Sequence, residues 1–232
     1  MLKIRLSLSL LIIVLILPFQ IALAKNNECE RKPTYDIIVK DDLAQFINDN
    51  HNLKVTSSGL ITLDDVPIQA TSKVKKQAQV LQAFLYQQLP RFENQSHQRL
   101  NDTRTAFEIA IRDKLGNKSE LLKNLNSLND ELNKLLKKAI NTREGVTYFY
   151  HQPFNNLKQD GEARGKNIFY KVIGNSILHF DVFKNYSAIK KIAKNEWKIQ
   201  KVKLKEFDHQ VCELITQIDQ QYNQLILELN EL

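Results

Sequence analysis

The spacing of apolar positions changes character along this chain, and each change marks a new kind of structure. Residues 6–17 are a continuous run of apolar and small side chains behind Lys3 and Arg5, and Ala22-Leu23-Ala24 follows just before Lys25. So short a run, with a basic start and an A-x-A site, predicts a cleaved export signal over 1–24 rather than a membrane span. Residues 35–70 then read as short strands divided by turn residues. Tyr35 to Val39 is β-rich, Leu53 to Thr56 alternates, and Leu60 to Leu63 resumes after Ser57-Ser58-Gly59. Val66 to Gln69 follows Asp64-Asp65. This pattern predicts an antiparallel meander. Pro67 has no N–H to give to a ladder, so its strand belongs at an edge or a bulge.

From Thr71-Ser72 the period becomes helical. Either residue suits an N-cap, and Val74, Ala78, Leu81, Leu85 and Leu89 follow on one face. Proline disfavours helical geometry in the residue before it, so Leu89-Pro90 is expected to end or kink this helix. A second helix is expected through Leu100, Thr103, Phe107 and Ile111, stopping near Gly116-Asn117. Leu121, Leu125, Leu128, Leu132 and Leu135 step by 4, 3, 4, 3, a heptad seam suited to an antiparallel hairpin with a neighbouring helix, closed at Gly145. Val146 to Tyr150 has strand composition and is a candidate to rejoin the sheet, and Ile168 to Phe183 is expected to be helical. From about Ser187 to Glu231 one long helix is predicted. Leu204, Phe207, Val211, Leu214 and Ile218 step by 3, 4, 3, 4, and Tyr222, Leu225 and Leu229 continue after a shift of phase. The fold class expected is α+β: a small N-terminal antiparallel β-meander (25–70) packed on a bundle of long helices (71–232), one predominantly helical mature domain.

Composition adds the compartment and the cysteines. The chain of 232 residues carries 33 basic and 26 acidic residues, a net charge of +7. Cleavage after Ala24 removes Lys3 and Arg5 and no acid, leaving +5 on the mature chain. The export signal implies a periplasmic protein, and no second apolar run predicts a membrane span. In an oxidising compartment the only two cysteines, Cys29 and Cys212, are expected to form one disulfide that closes almost the whole mature chain.

Charge is distributed unevenly. Lys184 to Lys205 holds eight lysines and one acid, Glu196, so the basic excess of the mature chain resides there. Lys191, Lys194, Lys198, Lys201 and Lys205 step by 3, 4, 3, 4. At about 100° per residue they form a stripe about 80° wide. Ile189, Ile192, Ile199 and Phe207 are expected on another face, with Trp197 between the two. Such a basic amphipathic helix suits an anionic partner: an envelope protein with an acidic surface, or an anionic membrane surface. A solvated face that aids solubility is the plainer reading of the same residues. Nucleic acid is not expected outside the cytoplasm. Glu206 to Leu232 has six acids and no Lys or Arg. Acid near a helix C-terminus opposes the macrodipole, so Asp219, Glu228 or Glu231 is expected to face lysines of another helix, such as Lys73, Lys75 and Lys76 or Lys134, Lys137 and Lys138.

No reaction is written into the chain. His51, His97, His151, His179 and His209 include no pair at the i, i+4 spacing of a helical zinc site. His209 and Cys212 are three apart and suit a shared metal, but the disulfide claims the same sulfur. Asp41-Asp42 and Asp64-Asp65 are paired carboxylates in places where aspartate is an ordinary turn residue. Nucleophile elbows, phosphate loops and dinucleotide fingerprints are not found. Catalytic, cofactor-binding and metal residues are therefore expected to be none. Tyr148, Phe149 and Tyr150 read as a core strand or as an aromatic recognition patch.

Several features in order resemble the YggN-like family of exported, uncharacterised proteobacterial proteins. They are a cysteine just after the signal (Cys29), the strand Asp36 to Val39, and Asn52 to Gly59 with its glycine turn. A Gln-rich helix ending in Leu-Pro (Gln77 to Pro90), the run Thr142, Arg143, Gly145 to Tyr148, and Cys212 on the last helix complete the match. The resemblance implies a periplasmic protein without an established activity and supplies no functional residues. The reading expected to hold is a non-enzymatic helical binding module. The alternatives are an apolar-ligand or lipid carrier with a pocket lined by Leu, Ile and Phe, or an enzyme whose site assembles from residues distant in sequence.

Overall fold

The computed structural model describes residues 32–157, 159–161 and 182–231. Residues 1–24 of the expected signal, Cys29, His179 and nearly all of the helix expected over Ile168 to Phe183 lie outside them. Five strands come first: β1 (Asp36–Lys40), β2 (Leu43–Ile47), β3 (Asn52–Thr56), β4 (Ile61–Leu63) and β5 (Val66–Ile68). Helix α1 (Ser72–Leu115) and helix α2 (Glu120–Ala139) follow, then β6 (Ile140–Arg143) and β7 (Val146–Phe149). A short helix α3 (151–157) and the long α4 (Val182–Asn230) complete the order.

The strands form one antiparallel sheet in the order β5-β4-β3-β2-β1-β7-β6. Its pairing lines up two rows on one face. Ile140, Phe149, Ile37, Phe46, Leu53 and Leu63 make the first, and Thr147, Val39, Ala44, Val55 and Ile61 the second. Strand residues alternate between faces, so this register gathers the apolar set on one side. Nearly all of these side chains are buried. Pro67 lies on β5 at one edge of the sheet, as its missing N–H requires. The turn Asp64-Asp65 has positive φ at both residues (51° and 64°), the geometry of a tight two-residue hairpin.

Helices α1 and α4 cover the buried face. They run antiparallel, since Lys73 meets Glu228 at one end while Phe92 stacks on Phe207 further along. Thr71 caps α1 by accepting the Val74 N–H at 3.3 Å. Val74, Ala78, Leu81, Leu85 and Leu89 fill the space over the sheet from α1, and Ile215, Ile218, Tyr222, Leu225 and Leu229 from α4. The Tyr222 ring packs between Tyr35 and Phe46, with centroids 4.6 and 4.7 Å away. Burial of each such side chain stabilises by about 1.5–3 kcal/mol, and this layer supplies the core. Helix α2 folds back on α1 as the heptad seam predicts. His97 pairs with Asn133 at 2.6 Å and Arg104 with Asn126 at 3.2 Å across the hairpin.

Two expectations need correction. Helix α1 does not stop at Pro90 but runs unbroken for 44 residues. Leu85 and Leu89 before the proline and Phe92 after it are buried in one continuous phase. The single backbone bond that proline forfeits weighs less than that burial. Helix α2 stops at Ala139, not at Gly145, because the β-branched stretch from Ile140 pairs with β7. Gly145 (φ 76°) instead forms the hairpin turn with Glu144 (φ 52°). Strand β7 rejoins the sheet as the composition of Val146 to Tyr150 suggests, pairing with β1 in register Ile37 with Phe149, and β6 adds the far edge beyond the N-terminal meander.

Candidate functional site

The lysine stripe lies on α4, in the part that precedes the sheet-covering residues Ile215 to Leu229. Lys191, Lys194, Lys198, Lys201 and Lys205 are all exposed. On a helical wheel they point about 100–180° away from Gln200, which is only 3% exposed and marks the covered face. At 1.5 Å per residue, Lys191 to Lys205 extends about 21 Å. Glu196, the one acid in the segment, is half-buried toward the covered side and leaves the stripe uninterrupted.

The flanks of the stripe are apolar. Trp197 is 54% exposed, Ile199 52% and Val202 69%. Ile199 lies off the lysine stripe, as its sequence position suggests, but it is exposed, and Gln200 occupies the covered face. Ile192 is buried as expected, and Phe207 is half-buried beneath the Arg99 guanidinium, 5.8 Å from its ring centroid. The side chain of Ile189 lies outside the described residues.

The acidic end of α4 is matched across the helix pair. Lys73 Nζ lies 3.0 Å from Glu228 Oε1, and Gln77 and Gln224 donate to the same oxygen at 3.0 and 2.7 Å. These donors hold the Glu228 carboxyl down at about 2, the Gln77 bond being the largest cause. Asp219 accepts a hydrogen bond from the Tyr35 hydroxyl and so ties the start of the sheet to α4. Cys212 sits half-buried two turns earlier on the same side of the helix.

The remaining candidate chemistry is structural in form. Asp41-Asp42 and Asp64-Asp65 occupy turns. The Asn52 N–H and His51 hold the Asp64 carboxyl below its usual range. His151 pairs with Asp36 at 2.7 Å where α3 begins, and His209 with Glu213 at 3.5 Å along α4. Among the described residues no group of His, Cys, Asp and Glu is placed to hold a metal ion. Tyr148 and Tyr150 face away from buried Phe149 and stack on each other with centroids 6.3 Å apart, the Arg143 guanidinium lying 4.5 Å over Tyr148. Alternation along the strand signals that split, but the arginine comes from across the hairpin and has no local sequence signal.

A groove of about 310 Å³ runs between α1 and α4. Gln88, Arg91 and Gln95 face Gln210, Glu213 and Gln217 across it, and Phe92, Phe207, Val211 and Leu214 complete the lining. It joins residues more than a hundred positions apart, which periodicity within one helix does not reveal. This lining mixes charged and amide side chains with apolar ones and is not lined by Leu, Ile and Phe alone. Among the described residues, no helix is long and apolar enough to cross a membrane.

No family model matches the chain, and no solved structure matches it. The chain is similar to the uncharacterised protein YggN of Escherichia coli K12, at 20% identity over 215 residues, which cover 87% of this chain and 90% of that protein. The uncharacterised YggN proteins of Escherichia coli O6:H1 (strain CFT073) and O157:H7 align at the same 20% identity. The similarity extends over most of both chains and agrees with the YggN-like resemblance carried by the sequence motifs.

Proposed function

We propose that this chain is an exported, non-enzymatic binding module that docks an anionic partner through the lysine face of α4. The observation that carries this reading is the segregation of charge. Five lysines share one exposed face, and the acids of the same helix other than Glu196 lie beyond it, with Glu228 engaged by Lys73. A face of one sign raises the local concentration of opposite charge and speeds encounter with it. Export to the periplasm, by cleavage after Ala24, belongs to the same proposal.

A Cys29–Cys212 disulfide is also part of this reading. Tyr35 is tied to Asp219, seven residues along α4 from Cys212, and Asn155 donates to the Pro33 carbonyl at 2.9 Å. Seven helical residues span about 10 Å, and the few residues from Pro33 back to Cys29 reach that far. Thiol titration in denaturant, without reductant, should find no free cysteine; two free thiols would remove the disulfide from the proposal.

The test of docking is site-specific photocrosslinking from Lys198 in living cells, with a probe at the covered Gln200 as control. An adduct from position 198 alone, lost when the neighbouring Lys191, Lys194, Lys201 and Lys205 are reversed to glutamate, supports the module. Equal adducts from both positions, or none from Lys198, reduce the stripe to a solvated face.

A further inference from the structure

The strip that carries the lysines also exposes apolar side chains, and their placement bears on the partner. Around the helix the order is Trp197, Lys201, Lys194, Lys205, Lys198, Lys191, Val202, Ile199, an arc of about 200°. Lysines fill its centre, and the three exposed apolar side chains stand on both flanks. A face that served only to keep the protein in solution would gain nothing from a half-exposed tryptophan, isoleucine and valine beside its charges.

We infer that this face of α4 lies on an anionic lipid surface, with the lysines at the headgroups and Trp197, Ile199 and Val202 entering the headgroup boundary. The inference rests on the docking reading above and names its partner. Three properties favour a bilayer over an acidic protein. The stripe is straight, about 21 Å long and only about 80° wide, so all five ammonium groups reach one plane. The apolar flanks gain by leaving water at a boundary that also accepts lysine, whose long stem lies along apolar surface while its charge stays among headgroups. Trp197 has the ring type that settles at such a boundary. Between Lys191 and Lys205 the one carboxylate, Glu196, turns toward the covered side, and the exposed acids Glu206 and Asp208 follow only beyond the last lysine of the stripe.

Trp197 is the only tryptophan in the chain, so its fluorescence reports on this patch alone. The experiment is co-sedimentation of the purified protein with phosphatidylcholine vesicles and with vesicles containing about one-third phosphatidylglycerol, at low and high salt. The expected result is binding to the anionic vesicles only, reversed by salt, with a blue shift of Trp197 emission. The triple variant K194E/K198E/K201E should bind about tenfold or more weakly. The variant I199S/V202S keeps every charge and should lose about threefold or more of the binding, along with part of the blue shift. All five substitutions fall on exposed positions, circular dichroism checks their fold, and salt reversal of the unaltered protein gives a readout that needs no variant.

Failure to bind anionic vesicles overturns the inference, as does binding that leaves Trp197 emission unshifted and ignores I199S/V202S. If vesicles fail while Lys198 still crosslinks one acidic protein in cells, the lipid partner falls and the docking reading stands. If both fail, both readings fall.

Discussion

Lys73, at the first turn of α1, pairs at 3.0 Å with Glu228, near the last turn of α4. The contact closes the antiparallel helix pair at the end where both helices lie over the sheet. Lys73 is itself 75% exposed, so the ion pair alone contributes little. The Gln77 and Gln224 amides that converge on the same carboxylate oxygen make it a more constrained site.

The sign of its pH dependence follows from the depressed Glu228 carboxyl, at about 2 against an ordinary 4.5. A carboxylate favoured by the fold contributes stability above its unfolded value. That contribution is lost as pH falls from about 4.5 through about 2. Urea melts at pH 7, 4 and 3 should therefore show the unaltered protein losing its advantage over Glu228→Gln as acid is added. A constant difference between the two across that range would mean that the carboxylate charge is not what the cluster holds.

Gln82 is the polar residue of α1 most completely enclosed by the sheet layer, 3% exposed. Its Nε2 donates to the Lys40 carbonyl at 3.0 Å and to the Asp41 carbonyl at 2.9 Å, satisfying the turn between β1 and β2 from above. Gln82→Leu keeps the volume and removes both bonds. The loss should be about 1–3 kcal/mol in denaturant melts, the cost of stranding buried acceptors.

Gly59 and Gly145 share left-handed backbone, φ 82° and 76°, but not surroundings. A Cβ on Gly59 would stand 2.8 Å from the Lys75 carbonyl oxygen of α1, whereas nothing lies within 4 Å of one on Gly145. Gly145→Ala should cost about 1 kcal/mol, the backbone strain alone. Gly59→Ala adds the clash and should exceed it by about 1 kcal/mol or more. Equal costs would show that the β3–β4 turn does not press on the helix as described.

What the sequence made legible were the features that its local rules control. Two-residue alternation and Asp-Asp and Ser-Gly turns announced the meander, Thr71 announced its cap, and 3-4 steps announced the α1–α2 hairpin and the lysine face. Pro90 does not end the helix, because the rule about proline is local, while the burial of Leu89 and Phe92 that overrides it depends on the packing around them. Strand β6 was missed because Ile140 to Arg143 is too short to show a period beside a strong helical one. That Gln200 rather than Ile199 takes the covered face has no sequence signal, because only the packing of the helices decides between them. The groove between α1 and α4 was invisible because no single segment contains it. Pro90 also gives a test. Pro90→Ala restores the donor for the Tyr86 carbonyl within a continuous helix, and should stabilise the protein by about 1–3 kcal/mol. A destabilising effect would show that the proline's own packing outweighs the missing bond.

The two long helices do not share the core evenly along their lengths. On α1 nine of the ten buried residues fall between Val74 and Ser96, leaving only Ile111 in the last 19 residues. On α4 the buried residues from Ile215 to Leu229 outnumber those described before them, Ile192 and Gln200. Backbone amides over the sheet should therefore exchange with deuterium only on global unfolding, and those of the lysine-bearing half through cheaper, separate openings. A surface that captures this half would slow its exchange while leaving the sheet amides as they were. Isotope labelling would then register the encounter as protection gained at one end of a helix whose other end never opened.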